Sequence, residues 1–162
     1  MNRKYLSALE LMQDFVEDRN VDSLVKNKPY YAFPLIACFV ELLGKCLDPN
    51  PNWNKNSKKH KNPFSDAIQH YDSFIQYREI DNLEDLLRNG MIHTVCPKDG
   101  IKLASDNDIN NNIIGCEDLY EAVKTTVKKI KEGVYDKLIK KSINSPYISI
   151  ENGITGNTNT IK

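Results

Sequence analysis

The chain has no excess of charge of either sign: 22 Lys and Arg stand against 22 Asp and Glu. No global field draws it onto a polyanion, so any affinity for nucleic acid must come from local patches. It also has no long apolar run. The longest, Pro34 to Val40, is far too short to span a bilayer, and no membrane association is expected. Its cysteines, Cys38, Cys46, Cys96 and Cys116, include no CxxC pair. Met1-Asn2-Arg3-Lys4 leads into amphipathic sequence rather than the apolar segment of a secretory signal. Reduced thiols in a cytoplasmic protein are therefore expected. His93 and Cys96, taken with His60 or His70, match no standard zinc spacing, so neither metal nor cofactor is expected.

What is present reads as helix. At 162 residues and 40% hydrophobic composition there is enough chain for one real core. Tyr5, Leu9, Met12 and Val16 recur at helical spacing and predict a helix over residues 3–18, while 21–31 is ambiguous. Pro34 suits the first turn of a second helix running to Leu47, apolar nearly all round except for Glu41. Asn50 to Lys61 is a long polar loop. Asn62 and Pro63 open a third helix carrying Phe64, Ile68, Tyr71 and Ile75. Asp81 to Glu84 reads as a capping box for a fourth helix, and Leu119 to Leu138 define a long fifth. Between them, Ile101 to Leu103 answered by Ile113-Ile114 suggests a short strand pair.

The expected architecture is all-α: an antiparallel helical bundle of about five helices, with at most a short β-hairpin after the fourth and no parallel pairing. One helical domain would span 1–143, followed by a polar C-terminal tail over 144–162. Leu35, Phe39, Leu42, Ile68, Leu83, Leu87, Val123 and Ile130 would share its core.

The chemistry-bearing run is Arg88-Asn89-Gly90-Met91-Ile92-His93, at the end of the fourth helix. A guanidinium grips phosphate through a planar fork of donors, and imidazole moves protons near neutral pH. Arg88 and His93 are five apart, about 140° of rotation on an ideal helix, so a distorted turn would be needed to bring both to one phosphate. Gly90 would admit close approach of another backbone. The alternative is structural: Glu84 paired with Arg88, and Asn89 bonded to His93. Lys55, Lys58, Lys59 and Lys61 make one basic patch and Lys124 to Lys141 another. Trp53, the single tryptophan, lies in the first and suits stacking of a single-stranded ligand. Glu41 needs a partner or an opening to solvent.

The Arg-polar-x-x-x-His run resembles the signature of the HEPN superfamily, helical nucleotide-binding and ribonuclease domains. The preceding apolar helix Leu35 to Gly44, the segment Phe64 to Tyr77 and the later Pro97-Lys98 resemble uncharacterised bacterial HEPN-like proteins in order. The resemblance covers about residues 30 to 104, with weaker helical agreement to about 141. It implies a homodimer whose paired signatures form a composite cleft that cuts single-stranded RNA without metal. Arg88 would stabilise the phosphorane, His93 would transfer a proton, Asn89 would orient one of them, and Glu41 would hold Arg88. Many members of the superfamily are non-catalytic. A dimeric partner module of a defence or toxin-antitoxin system, with an operon-encoded protein partner, therefore stays open beside the endoribonuclease.

Overall fold

The computed structural model describes residues 4–80, 83–90, 100–150 and 154–155. It is mostly helical, with a small two-stranded parallel sheet and a three-stranded antiparallel one. Strand β1 is Lys4–Ser7 and helix α1 is Ala8–Glu17. A reciprocal capping box fixes that boundary. The Ser7 hydroxyl accepts the Glu10 N–H at 3.2 Å, and the Glu10 carboxylate accepts the Ser7 N–H at 2.8 Å. The helix predicted from residue 3 is thereby shortened, and Lys4 to Leu6 are left extended.

Asp18 caps α2 (Arg19–Asn27), which takes up much of the ambiguous stretch. Helix α3 (Pro29–Lys45) begins at Pro29, not Pro34. Pro29 occupies the position where a missing N–H costs nothing, while Pro34 lies inside the helix and forgoes one backbone bond. Nor is α3 buried on most faces. Tyr31 and Leu35 are 65% and 45% exposed, which corrects the placement of Leu35 in the core; Phe39 and Leu42 are only partly buried against it. Ile68, Leu83, Leu87, Val123 and Ile130 are buried in one cluster, as expected.

Helix α4 (Pro63–His70) starts where Asn62 and Pro63 predict, the Asn62 side chain accepting the Ser65 N–H at 3.0 Å. A 3-10 turn, Asp72–Tyr77, follows. The backbone of Glu84–Asn89 is wound as a π-helix. Strands β2 (Lys102–Ala104) and β3 (Ile113–Gly115) pair in parallel, so the hairpin expected here is not formed, and the exclusion of parallel pairing fails. The intervening loop turns twice, through a 3-10 turn at Ile109–Asn111 and a left-handed Asn112. Asn107 locks it: its side-chain oxygen accepts the Gly115 N–H at 2.6 Å, and its own N–H reaches Asp118 at 2.7 Å.

Helix α5 (Cys116–Lys131) stops well short of Leu138. Gly133, at φ +76°, places its N–H on Ile130 and that of Val134 on Lys129, a Schellman closure that only a left-handed residue allows. Val134 is consequently 60% exposed. Part of the stretch expected as tail forms β4 (Pro146–Ile150), which pairs antiparallel with β1 and with β5 (Ile154–Thr155). Among the described residues, no helix is long and apolar enough to cross a membrane.

The tightest junction is α3 on α4. A Cβ at Gly44 would lie 1.6 Å from the Pro63 carbonyl oxygen and 2.5 Å from its carbon. These are backbone atoms, so nothing can rotate aside. Gly44→Ala is predicted to lower unfolding free energy by about 2 kcal/mol or more, at the upper part of overpacking costs, read from urea denaturation. A loss under about 0.5 kcal/mol, the level of an ordinary surface change, would contradict the close approach.

Candidate functional site

The signature run is reached only in part. The backbone of Arg88 and Asn89 belongs to the π-helical segment, and Gly90 follows it, buried. The side chains of Arg88 and Asn89, and the whole of His93, lie outside the described residues. Leu83 and Leu87 anchor this segment in the core. Nearby, a polar cavity of about 270 Å³ is bordered by Asn62, Arg78, Glu84 and Asp85. Its guanidinium is committed elsewhere: Arg78 donates to the carbonyls of Ile68 at 3.1 Å and Tyr71 at 3.2 Å, closing the end of α4.

Glu41 and Trp53 meet at a second cavity, of about 330 Å³. Phe39 and Leu42 supply further apolar wall, and Glu41, Lys45 and Asn54 supply polar groups. Helix α3 sets this up by spacing alone, since Glu41 and Lys45 are one turn apart on the same face. The Lys45 ammonium lies 3.7 Å from the Glu41 carboxylate, with side chains 27% and 20% exposed. Phe39 is fixed from behind by a stacked contact with Phe15, ring centroids 3.6 Å apart. Trp53 is half-buried rather than laid open in its loop.

What holds Trp53 is a run of side-chain turns absent from the sequence reading. Asp48 accepts the Asn50 N–H at 2.9 Å, Asn50 that of Asn52 at 3.0 Å, and Asn52 that of Asn54 at 2.9 Å. Asp48 also accepts the Ser57 N–H at 2.7 Å, closing the loop. Into this loop comes Lys141, only 6% exposed. Its ammonium donates to the Asn50 carbonyl and, at 3.4 Å, to that of Asn52, and stands 5.2 Å from the centre of the Trp53 ring. The alternation of Asx residues at 48, 50, 52 and 54 is the signal that could have revealed the loop; nothing local pointed to Lys141.

Burial acts on both charges. It would raise the Asp48 carboxyl, but the N–H groups of Asn50 and Ser57 with the charge of Lys141 outweigh it, and the group sits below its ordinary value. Burial lowers the Lys141 ammonium, with Asp48 partly opposing. Burial also pushes the Cys46 and Cys116 thiols up to about 12, so neither is a ready nucleophile at neutral pH.

Lys55, Lys58, Lys59 and Lys61 are all exposed on this loop. His60 is half-buried, its Nδ1 being 3.0 Å from the Asp66 carboxylate. Tyr71, Phe74 and Tyr77 are fully buried, which removes them as base-stacking surfaces. Among the described residues no group of three or more His, Cys, Asp or Glu is arranged to hold a metal. Comparison with protein-family models, curated proteins and solved structures finds no match.

The loop predicts an acid-sensitive stability term. A carboxyl held below its unfolded value of about 3.9 stabilises the fold above that pH, and the benefit is lost as pH falls through the lower folded value. Asp48→Asn is expected to cost about 1.5–3 kcal/mol at pH 7, the scale of hydrogen bonds to a charged group. Its deficit against the parent chain should shrink steadily below about pH 4. Equal deficits at pH 7 and pH 3 in denaturant titrations would show that the carboxylate charge is not what orders the loop.

Proposed function

We propose that the chain is an RNA-binding protein of HEPN type, acting as a homodimeric, metal-independent endoribonuclease in the cytoplasm. In this reading its helices form an antiparallel bundle, and Arg88, Asn89 and His93 carry the chemistry. The observation that carries the proposal is the π winding of Glu84–Asn89. Such turns are rare and gather at functional sites, and this one includes the backbone of Arg88 and Asn89. The exposed lysines of the 55–61 segment give local attraction for a phosphate backbone that the neutral whole does not supply.

The reaction needs few groups. The RNA 2′-hydroxyl attacks the adjacent phosphorus, the 5′-oxygen of the next nucleotide leaves, and a 2′,3′-cyclic phosphate remains. Arg88 would neutralise charge developing on the phosphorane, and His93 would take or give the proton. Glu41 would serve from α3 as a positioning residue.

A second reading, a non-catalytic dimeric partner module, draws on the exposed apolar side chains of α3, Tyr31 and Leu35. Single-stranded RNA incubated with the protein in EDTA separates the two. Cleavage leaving cyclic phosphate ends, reduced about 10²-fold or more by Arg88→Ala and by His93→Ala without a change in melting temperature, supports the enzyme. Inert wild-type protein whose RNA binding survives His93→Ala supports the module. Inert protein that binds no RNA, with both variants melting several degrees lower, assigns the polar run to structure.

A further inference from the structure

We propose that two lysine clusters far apart in the chain form one face that holds the phosphate backbone of a single RNA strand. This deepens the RNA-binding reading and rests on it for the biological ligand. The binding itself can be measured on a strand that cannot be cut.

The charge is unevenly placed. Residues 49–62 hold four lysines and no acid, and residues 137–145 hold three lysines and no acid. The rest of the chain carries 15 Lys and Arg against 22 Asp and Glu. The neutral total thus hides two strongly basic segments, and a local field survives where a global one does not.

Hydrogen bonds bring these segments together. The N–H groups of Lys140 and Lys141 both donate to the Cys46 carbonyl, at 2.9 and 3.2 Å, just before the loop begins. The Lys141 ammonium reaches the Asn52 carbonyl at 3.4 Å, and the same oxygen accepts the Lys55 N–H at 3.2 Å. Asp48 holds the Ser57 N–H at 2.7 Å. The Ser57 carbonyl accepts the His60 N–H at 3.1 Å, which closes the turn carrying Lys58 and Lys59. Lys55, Lys58, Lys59, Lys137 and Lys140 are all exposed, whereas Lys141 is buried and serves as the joint between the segments. The acids nearby do not cancel them. Asp48 is buried against N–H groups and Lys141, Asp66 lies on His60, and the Glu41 carboxylate is 3.7 Å from the Lys45 ammonium. Asp136, beside Gly133, is an exposed acid at the edge of the face, set against five exposed lysines.

The side chains of the face choose the partner. Lysine is a flexible point charge, which matches an anion repeated at every nucleotide. Asn54 and Asn56 stand exposed on either side of Lys55, and their amides can donate to phosphate and sugar oxygens. Residues 54–62 hold no apolar side chain that could enter a bilayer. Over 137–145 the one exposed apolar side chain is Leu138, at 37%, where an interfacial anchor would bury several.

The full chain is titrated with a labelled oligouridine whose 2′-hydroxyls are methylated, so that the proposed attack on phosphorus cannot occur. Fluorescence anisotropy follows binding over a series of sodium chloride concentrations, and affinity is expected to fall steeply with salt. Each phosphate contact to a single strand contributes about 0.7 to the slope of log affinity against log salt. Lys58→Gln with Lys59→Gln should flatten that slope by about 1, and Lys137→Gln with Lys140→Gln by as much. All four side chains are exposed, so melting temperatures should stay at the parent's value. Lys26→Gln with Lys28→Gln removes the same charge beside the opposite end of α3 and should leave the slope unchanged. No binding at low salt, a slope untouched by the 137 and 140 pair, or an equal effect from the 26 and 28 pair would overturn the face. So would phosphatidylserine vesicles held through the same lysines by a chain that ignores the oligouridine, a result that assigns the surface to a lipid. The two proposals fail separately: cutting that needs Arg88 and His93 with no such slope change removes the face and leaves the nuclease, whereas salt-sensitive binding by a chain that never cuts RNA does the reverse.

Discussion

One buried ammonium organises the face on which the cavity opens. Lys141 lies almost a hundred residues from the loop it enters, and it arrives there because Lys140 and Lys141 both place their backbone N–H on the Cys46 carbonyl. A lysine so far from solvent must be repaid by hydrogen bonds and opposite charge. The carbonyls of Asn50 and Asn52 supply the first, and Asp48 the second. The polar loop is therefore not a loose connection. Its backbone folds around a charge contributed by the far end of the chain, and Trp53 is held against α3 as a consequence. Removing the ammonium would leave inward-facing carbonyls unsatisfied and Asp48 without its compensating charge.

The last turn of α3 is fixed by contact as well as by charge. Gly44 admits the Pro63 backbone, so α4 begins against the last turn of α3 with no side chain between. Arg78 then closes the far end of α4 by binding its last carbonyls. Between these restraints the chain passes to the 3-10 turn and on to the π-helical segment, whose Leu83 and Leu87 reach back into the common core. The π-wound segment is thus pinned through apolar side chains, and its backbone takes a geometry that an ordinary helix would not provide.

What was legible in the sequence was local. Asn62 with Pro63 announced α4 because both act within a single turn. Apolar periodicity located Phe64, Ile68 and Tyr71, and Leu119, Val123, Val127 and Ile130, because burial there follows helix rotation. Ile75, the last residue of the stripe expected for α4, is 64% exposed because that helix stops at His70. Boundaries set by single residues were harder to read: the Ser7 box cut short the first helix, and Gly133 ended the fifth despite apolar residues beyond it. Leu35 was misplaced because α3 is apolar on more faces than the molecule covers. The parallel pairing of β2 and β3 depends on Asn107 side-chain bonds that no hydropathy pattern encodes. The candidate site divides the same way. Glu41 and Trp53 stood out individually, as an acid in an apolar helix and a lone indole in a basic loop. Their shared cavity was not visible, because it depends on Lys141 and on the packing of α1 behind Phe39.

Charge balance finally constrains how the proposed activity would work. A neutral chain gains little from long-range steering, so an RNA strand would be held by short-range contacts. A phosphate clamp alone has no sequence preference, since every nucleotide offers the same anion. The exposed lysines Lys55, Lys58 and Lys59 lie on a loop whose fold depends on Lys141, whereas the π-helical segment is anchored through the core. Changes that loosen the loop should therefore weaken the hold on a strand before they slow its cutting.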